Sequence, residues 1–122
     1  MRKAAIRGRG ALQVLPGGGT RRSKSRSYHL VPPEGLRNIA DRFEAGADIH
    51  GEFNWMKSCE SEDNAFHFAR SAYNHMQEHM IRMASGDQDK DPGGNLGAIG
   101  WGVFVLSYIE NKFGKPWTEL EH

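Results

Sequence analysis

Asn95-Leu96-Gly97-Ala98-Ile99-Gly100-Trp101-Gly102-Val103-Phe104-Val105-Leu106-Ser107-Tyr108-Ile109-Glu110-Asn111-Lys112 is the stretch on which the fold of this 122-residue chain turns. It carries no charge before Glu110, and its apolar residues fall on every side of a helix. A helix that is apolar nearly all round belongs in the centre of a protein, so this segment predicts the most buried helix. Gly97, Gly100 and Gly102 each cost about 1 kcal/mol relative to alanine in a helix interior. Three glycines so close together predict that another backbone, or a ligand, comes very near.

Working back from that helix, 61–84 reads as the longest helix of the chain. Ser61 followed by Glu62 and Asp63 is an N-terminal signal, and Ala65, Ala69, Ala72, Met76, Met80 and Met83 form its core stripe. His79 sits at the edge of the stripe, with His75 and Arg82 beside it. His75 and His79 are one turn apart, a spacing at which two histidines can share a metal, although core-edge histidines are commoner. Between the two helices, Gly86-Asp87-Gln88-Asp89-Lys90-Asp91-Pro92-Gly93-Gly94 reads as a polar loop with alternating acids. It lacks the closing glutamate of a calcium-binding loop.

A third helical pattern starts at Pro33, where Pro32-Pro33 gives an extended lead-in and a proline suited to a first helical turn. Leu36, Ile39, Ala40, Phe43 and Ala47 share one face. Asp41, Glu44 and Asp48 form an acidic stripe next to it, with only Arg37 as local compensation. Like charges at this spacing repel, and a hard divalent cation such as Mg²⁺ or Mn²⁺ would relieve them. His50 to Asn54 ends the helix. Trp55 then offers either a core plug or a platform for a base, and Lys57 could meet a phosphate. After the last helix, Gly114, Pro116 and Trp117 are expected to fold back over the bundle.

Charge is unevenly distributed. Residues 1–33 hold eight Lys/Arg and no acid, so residues 34–122 carry about −7 against a chain total of +1. Residues 1–27 read as an irregular basic arm and 28–122 as one helical domain. Within the arm, 11–15 is the one short apolar stretch that could pair locally. The arm could neutralise phosphates of a nucleic acid or meet an acidic partner, or simply solvate the chain. No apolar run is long enough to span a membrane, no signal-peptide core follows the N-terminal charges, and Cys59 alone excludes an internal disulfide. About 90 residues make a small core for a helix that is apolar all round, so a second copy is expected to complete the bundle.

Read in order, Tyr28-His29-Leu30-Val31-Pro32-Pro33-Glu34-Gly35-Leu36, Gly46-Ala47-Asp48-Ile49-His50-Gly51, Asn54-Trp55, Glu78-His79, Gly86-Asp87 and Asn95-Leu96-Gly97 form a recognisable string. It resembles the dATP/dGTP diphosphohydrolase N-terminal family, common in phages and prophages and grouped with the MazG-like all-α nucleotide pyrophosphohydrolases. The resemblance covers about residues 26–112. It implies an all-α, MazG-like helical bundle that cleaves a purine (deoxy)nucleoside triphosphate to monophosphate and pyrophosphate with Mg²⁺ or Mn²⁺, in the cytoplasm of a bacterial host. On this reading Glu44 and His79 are catalytic, and Glu44, Asp48, Glu78 and Asp87 hold metal. Asn54, Trp55, Lys57 and Arg82 bind substrate. The chain departs from the family pattern at Ile49, His50, Glu78 and Asn95, and no acid precedes Glu110 on the last helix, where MazG-like enzymes place a second acidic pair. The alternative is a non-catalytic helical module of the same fold that binds nucleic acid or an acidic partner through residues 1–27.

Overall fold

The computed structural model describes residues 11–23 and 26–122, which divide into two compact units, Met1–Pro32 and Pro33–His122. In the first unit, β1 (Ala11–Val14) and β2 (Thr20–Ser23) form an antiparallel hairpin with Ala11 opposite Ser23 and Val14 opposite Thr20. The arm was expected to be irregular; over this span it is paired, and the short apolar stretch is the strand that pairs. Gly17 and Gly18, at φ 90° and 92°, supply the left-handed backbone that a tight reversal needs. The Leu15 carbonyl accepts from the Gly18 amide at 3.0 Å. A single 3₁₀ turn, Tyr28–Leu30, follows.

The second unit is helical: α1 (Pro33–His50), α2 (Glu62–Ala84) and α3 (Gly94–Phe113), with 3₁₀ turns at Asn54–Cys59 and Trp117–Glu119. The expected starts hold. Pro33 opens α1, and the Ser61 hydroxyl accepts the Asn64 amide at 3.2 Å to cap α2. Gly114, at φ 71°, closes α3 and donates its amide to the Glu110 carbonyl at 2.8 Å.

α3 lies in the middle and packs against both α1 and α2, which touch each other little. Its glycines explain the crossing. A Cβ on Gly97 would stand 2.5 Å from the Asn38 carbonyl oxygen, and one on Gly93 would meet the same atom. Gly100 makes room for Ile39, and Gly102 for Met76. Both the backbone and the side chains of neighbouring helices fill the space that the glycines leave.

The core proper is formed by Cys59, Ala65, Phe66, Ala69, Ala72, Val105, Ile109 and Leu120. The C-terminal tail does fold back. Trp117 lies 5.9 Å from Phe66 and 5.6 Å from Tyr73, ring to ring, and Lys115 Nζ meets Glu62 at 2.7 Å.

Two expectations about burial need correction. Met80 and Met83, placed in the α2 core stripe, are 50% and 43% exposed, and Leu96, Val103 and Phe104 leave α3 open along one side. No residue of α1 is fully buried, and Leu36 and Ala40 are exposed. Three helices with α3 between the other two cannot surround it. The apolar surface of α3 therefore exceeds what one chain can cover.

Candidate active site

Two adjoining cavities lie along the C-terminal half of α1. The larger, about 780 Å³, is bounded by Glu44 and Asp48 of α1, by Glu52, Asn54 and Trp55 beyond it, and by Trp101 of α3. Glu44 and Asp48 are one helical turn apart and both exposed, so their carboxylates project from one face. The rim turns sharply: Gly51 has φ 97° and Phe53 has φ 59°. A left-handed phenylalanine is uncommon because its Cβ crowds the following carbonyl. Among the residues that line this cavity are three carboxylates and no Lys or Arg.

Trp55 contributes a wall rather than a free platform. Its ring lies 6.1 Å from Phe43 and packs edge-on against Tyr108 at 5.1 Å. Phe43 in turn lies 6.1 Å from Trp101 and 6.2 Å from Phe104. These aromatic contacts fix the cavity floor between α1 and α3.

The smaller cavity, about 390 Å³, is lined by Arg42, Ala45 and Ile49 of α1, His75 of α2, Asp91 and Pro92 of the following loop, and Ala98 of α3. Gly46, His50 and Trp101 border both cavities.

A partly buried polar network that joins all three helices lies behind the smaller cavity and reaches its wall at Arg42 and His75. The Asn95 amide nitrogen donates to the Asp87 carbonyl at 2.9 Å, and its oxygen faces His79 Nδ1 at 2.8 Å. His79 Nε2 lies 3.0 Å from His75 Nε2 and 3.4 Å from Arg42 Nη2. Arg42 also donates to the Pro92 carbonyl at 3.2 Å and pairs with Asp89 at 3.3 Å. The Asp89 side chain is 4% exposed, and its Oδ2 lies 3.5 Å from His79 Nδ1 without a well-formed hydrogen bond. Burial alone would raise the Asp89 carboxyl. The Asp91 amide, the Arg42 and Arg82 guanidiniums and the neighbouring His79 ring outweigh that and hold it below its ordinary value. His75 is pushed down by burial and by the neighbouring His79 and Arg42, against the opposite pull of Asp89 and Glu78.

Of the residues singled out from sequence, the larger cavity brings together Glu44, Asp48, Asn54 and Trp55. Glu78, Asp87, Lys57 and Arg82 line neither cavity, and neither does His79. His79 is 2% exposed and is wholly engaged in the network. Asp87 takes part there through its backbone carbonyl. Among the described residues no three His, Cys, Asp or Glu side chains lie close enough to hold an ion on their own.

Sequence reading missed Arg42, Asp89 and Trp101. Arg42 had a signal: it lies three residues after Ile39 and four before Gly46, on the face of α1 that meets α3. Asp89 had none, because nothing in an alternating acidic loop marks which acid turns inward.

A family model described as dATP/dGTP diphosphohydrolase, N-terminal, matches residues 16–117. The match begins inside the basic arm and runs through α3 to Trp117. Neither a curated protein nor a solved structure matches the chain. The chain belongs to the dATP/dGTP diphosphohydrolase N-terminal family.

Proposed function

We propose that this protein hydrolyses a purine (deoxy)nucleoside triphosphate to the monophosphate and pyrophosphate, with Mg²⁺ or Mn²⁺ held by Glu44 and Asp48. The observation that carries this reading is the charge of the larger cavity: Glu44, Asp48 and Glu52, with no Lys or Arg among its lining residues. A bare triphosphate would be repelled there. A triphosphate that arrives with a divalent cation would be welcomed, because Mg²⁺ is commonly held by one or two carboxylates and completed by phosphate oxygens and water. The donor set, two carboxylates one helical turn apart, fits that mode.

When bound, the metal clamps phosphate oxygens and lowers the pKa of water. The chain's own residues do the rest. Glu44 and Asp48 fix the metal-bearing face, and Asn54 offers a neutral hydrogen-bonding group at the rim. Trp55, Phe43 and Trp101 wall the cavity and keep its floor apolar. His79 acts from behind as a positioning residue, through His75 and Asn95, and not as a group that touches substrate.

A screen of nucleoside triphosphates with and without Mn²⁺, read as pyrophosphate, tests the proposal. Release from dATP or dGTP should occur only with metal. Loss of outer-shell partners at metal sites commonly costs about 10–100-fold, so Glu44→Gln should cost at least about a hundredfold. Unchanged turnover in that variant would remove Glu44 from the site.

We further propose that a second copy of the chain covers the open apolar face on α2 and α3. Met80 and Met83 of α2 and Leu96 and Val103 of α3 are all exposed apolar residues, and α2 and α3 pack against each other. No described helix is long and apolar enough to cross a membrane.

A further inference from the structure

The geometry points to the smaller cavity as the base subsite, with His75 Nδ1 accepting a hydrogen bond from an N–H donor on the edge of a purine. This rests on the nucleotide reading above and extends it to the part of the substrate that distinguishes one nucleotide from another.

The walls suit a planar ring. Ala45, Ile49, Pro92, Ala98 and Trp101 are apolar, and the polar lining is Arg42, His50, His75 and Asp91. A volume of about 390 Å³ falls within the usual range of roughly 300–1,000 Å³ for small-molecule sites, which are apolar with a few placed polar groups. Trp101, Gly46 and His50 border both cavities, so a base seated here directs its phosphates toward Glu44 and Asp48.

The network decides what His75 can offer. Asn95 donates through Nδ2 to the Asp87 carbonyl, which leaves its oxygen facing His79 Nδ1. Nδ1 of His79 must therefore carry the proton, and the nearby Asp89 carboxylate favours it there. In the neutral ring His79 Nε2 is then the acceptor; His75 Nε2 at 3.0 Å is the nearer donor, while Arg42 at 3.4 Å is engaged chiefly by Pro92 and Asp89. His75 Nε2 donates into it, so in the neutral ring His75 Nδ1 keeps its lone pair. That atom has no hydrogen-bond partner among the described residues.

Two rival uses of the histidine pair are weaker. A metal could bridge nitrogens 3.0 Å apart, but the Arg42 guanidinium 3.4 Å from His79 Nε2 stands on that side and repels a cation. An anion at His75 would need a protonated ring. Burial, His79 and Arg42 oppose protonation more than Asp89 and Glu78 favour it, so the acceptor form prevails at neutral pH. Asn95, the one partner from α3, does not titrate.

The test uses the full chain without metal, titrated by NMR with 2′-deoxyadenosine and with the unsubstituted purine deoxynucleoside, whose base edge has no N–H donor. Deoxyadenosine should bind more tightly. His75→Ala should weaken it about five- to tenfold, the worth of one neutral hydrogen bond, and leave the unsubstituted purine unchanged. His75→Gln, whose amide oxygen can accept, should recover part of the loss. Ala45→Trp, which fills the cavity, should abolish binding of both. Equal loss of both ligands in a folded His75→Ala variant would overturn the hydrogen bond. Intact binding in Ala45→Trp, or no nucleoside binding by a wild type that releases pyrophosphate, would overturn the subsite. Nucleoside binding with no pyrophosphate release from any triphosphate would instead overturn the hydrolase reading and keep the subsite.

Discussion

Asp89 and His75 link the polar network to pH. Both are shifted below their ordinary values, Asp89 from 3.8 and His75 from 6.5. For a group depressed in the folded state, the unfolded chain takes up its proton first as pH falls, so stability decreases with falling pH. The expected profile has two stages: a decline beginning below pH 6.5 from His75, and a second at acid pH, to which Glu62, held down by Lys115, contributes below pH 4.5 and Asp89 below pH 3.8. Chemical denaturation across that range checks it. His75→Gln should remove the first stage and leave the second. Asp89→Asn should reduce the second and lower stability at neutral pH by about 3 kcal/mol, the low end for breaking a buried pair, because the Arg42 side chain keeps 16% exposure.

At the scale of elements, the contact of α1 with α3 depends on glycine. Alanine is better than glycine in a helix interior by about 1 kcal/mol, yet at Gly97 the added carbon would meet the Asn38 carbonyl. Overpacking against backbone commonly costs about 1–3 kcal/mol. Gly97→Ala should therefore destabilise the protein in equilibrium unfolding, whereas an exposed helix position would gain from the same change. This close approach was legible in the sequence, since three glycines inside an otherwise strong apolar helix had no local reason to be there. The helix spans were legible too, through Pro33, Ser61 and the apolar periodicities. The site was legible only in half. Glu44 and Asp48 share a helix face, and periodicity places them together. Glu78 and Asp87 were joined to them by order along the chain, and nothing in that order fixes which way α2 and its loop face across α3. Asp89 and Arg42 meet only after the fold has formed, with 46 residues of α1, α2 and their connections between them.

At the scale of the whole molecule, the open side of α2 and α3 is the feature that a single chain does not resolve. Contiguous exposed apolar surface of this kind marks an interaction site. Sedimentation should show a self-associated species at micromolar concentration, and Met80→Glu with Leu96→Glu should shift it to monomer. A wild type that remains monomeric would overturn the second-copy proposal. It would leave the cavities untouched, because Met80, Met83, Leu96 and Val103 line neither of them.

The loop after α2 has a practical consequence for anyone building on this scaffold. By composition, Gly86 to Gly94 looks like the natural place to splice in a peptide tag or a cleavage sequence, since it is short, polar and rich in glycine. Its middle is nevertheless anchored inward by Asp89, and its end is pinned at Gly93 against Asn38. Tolerance to insertion follows the burial and hydrogen bonding of the backbone concerned rather than its composition. The hairpin turn at Gly17 and Gly18, where no atom crowds either glycine, is the better graft point.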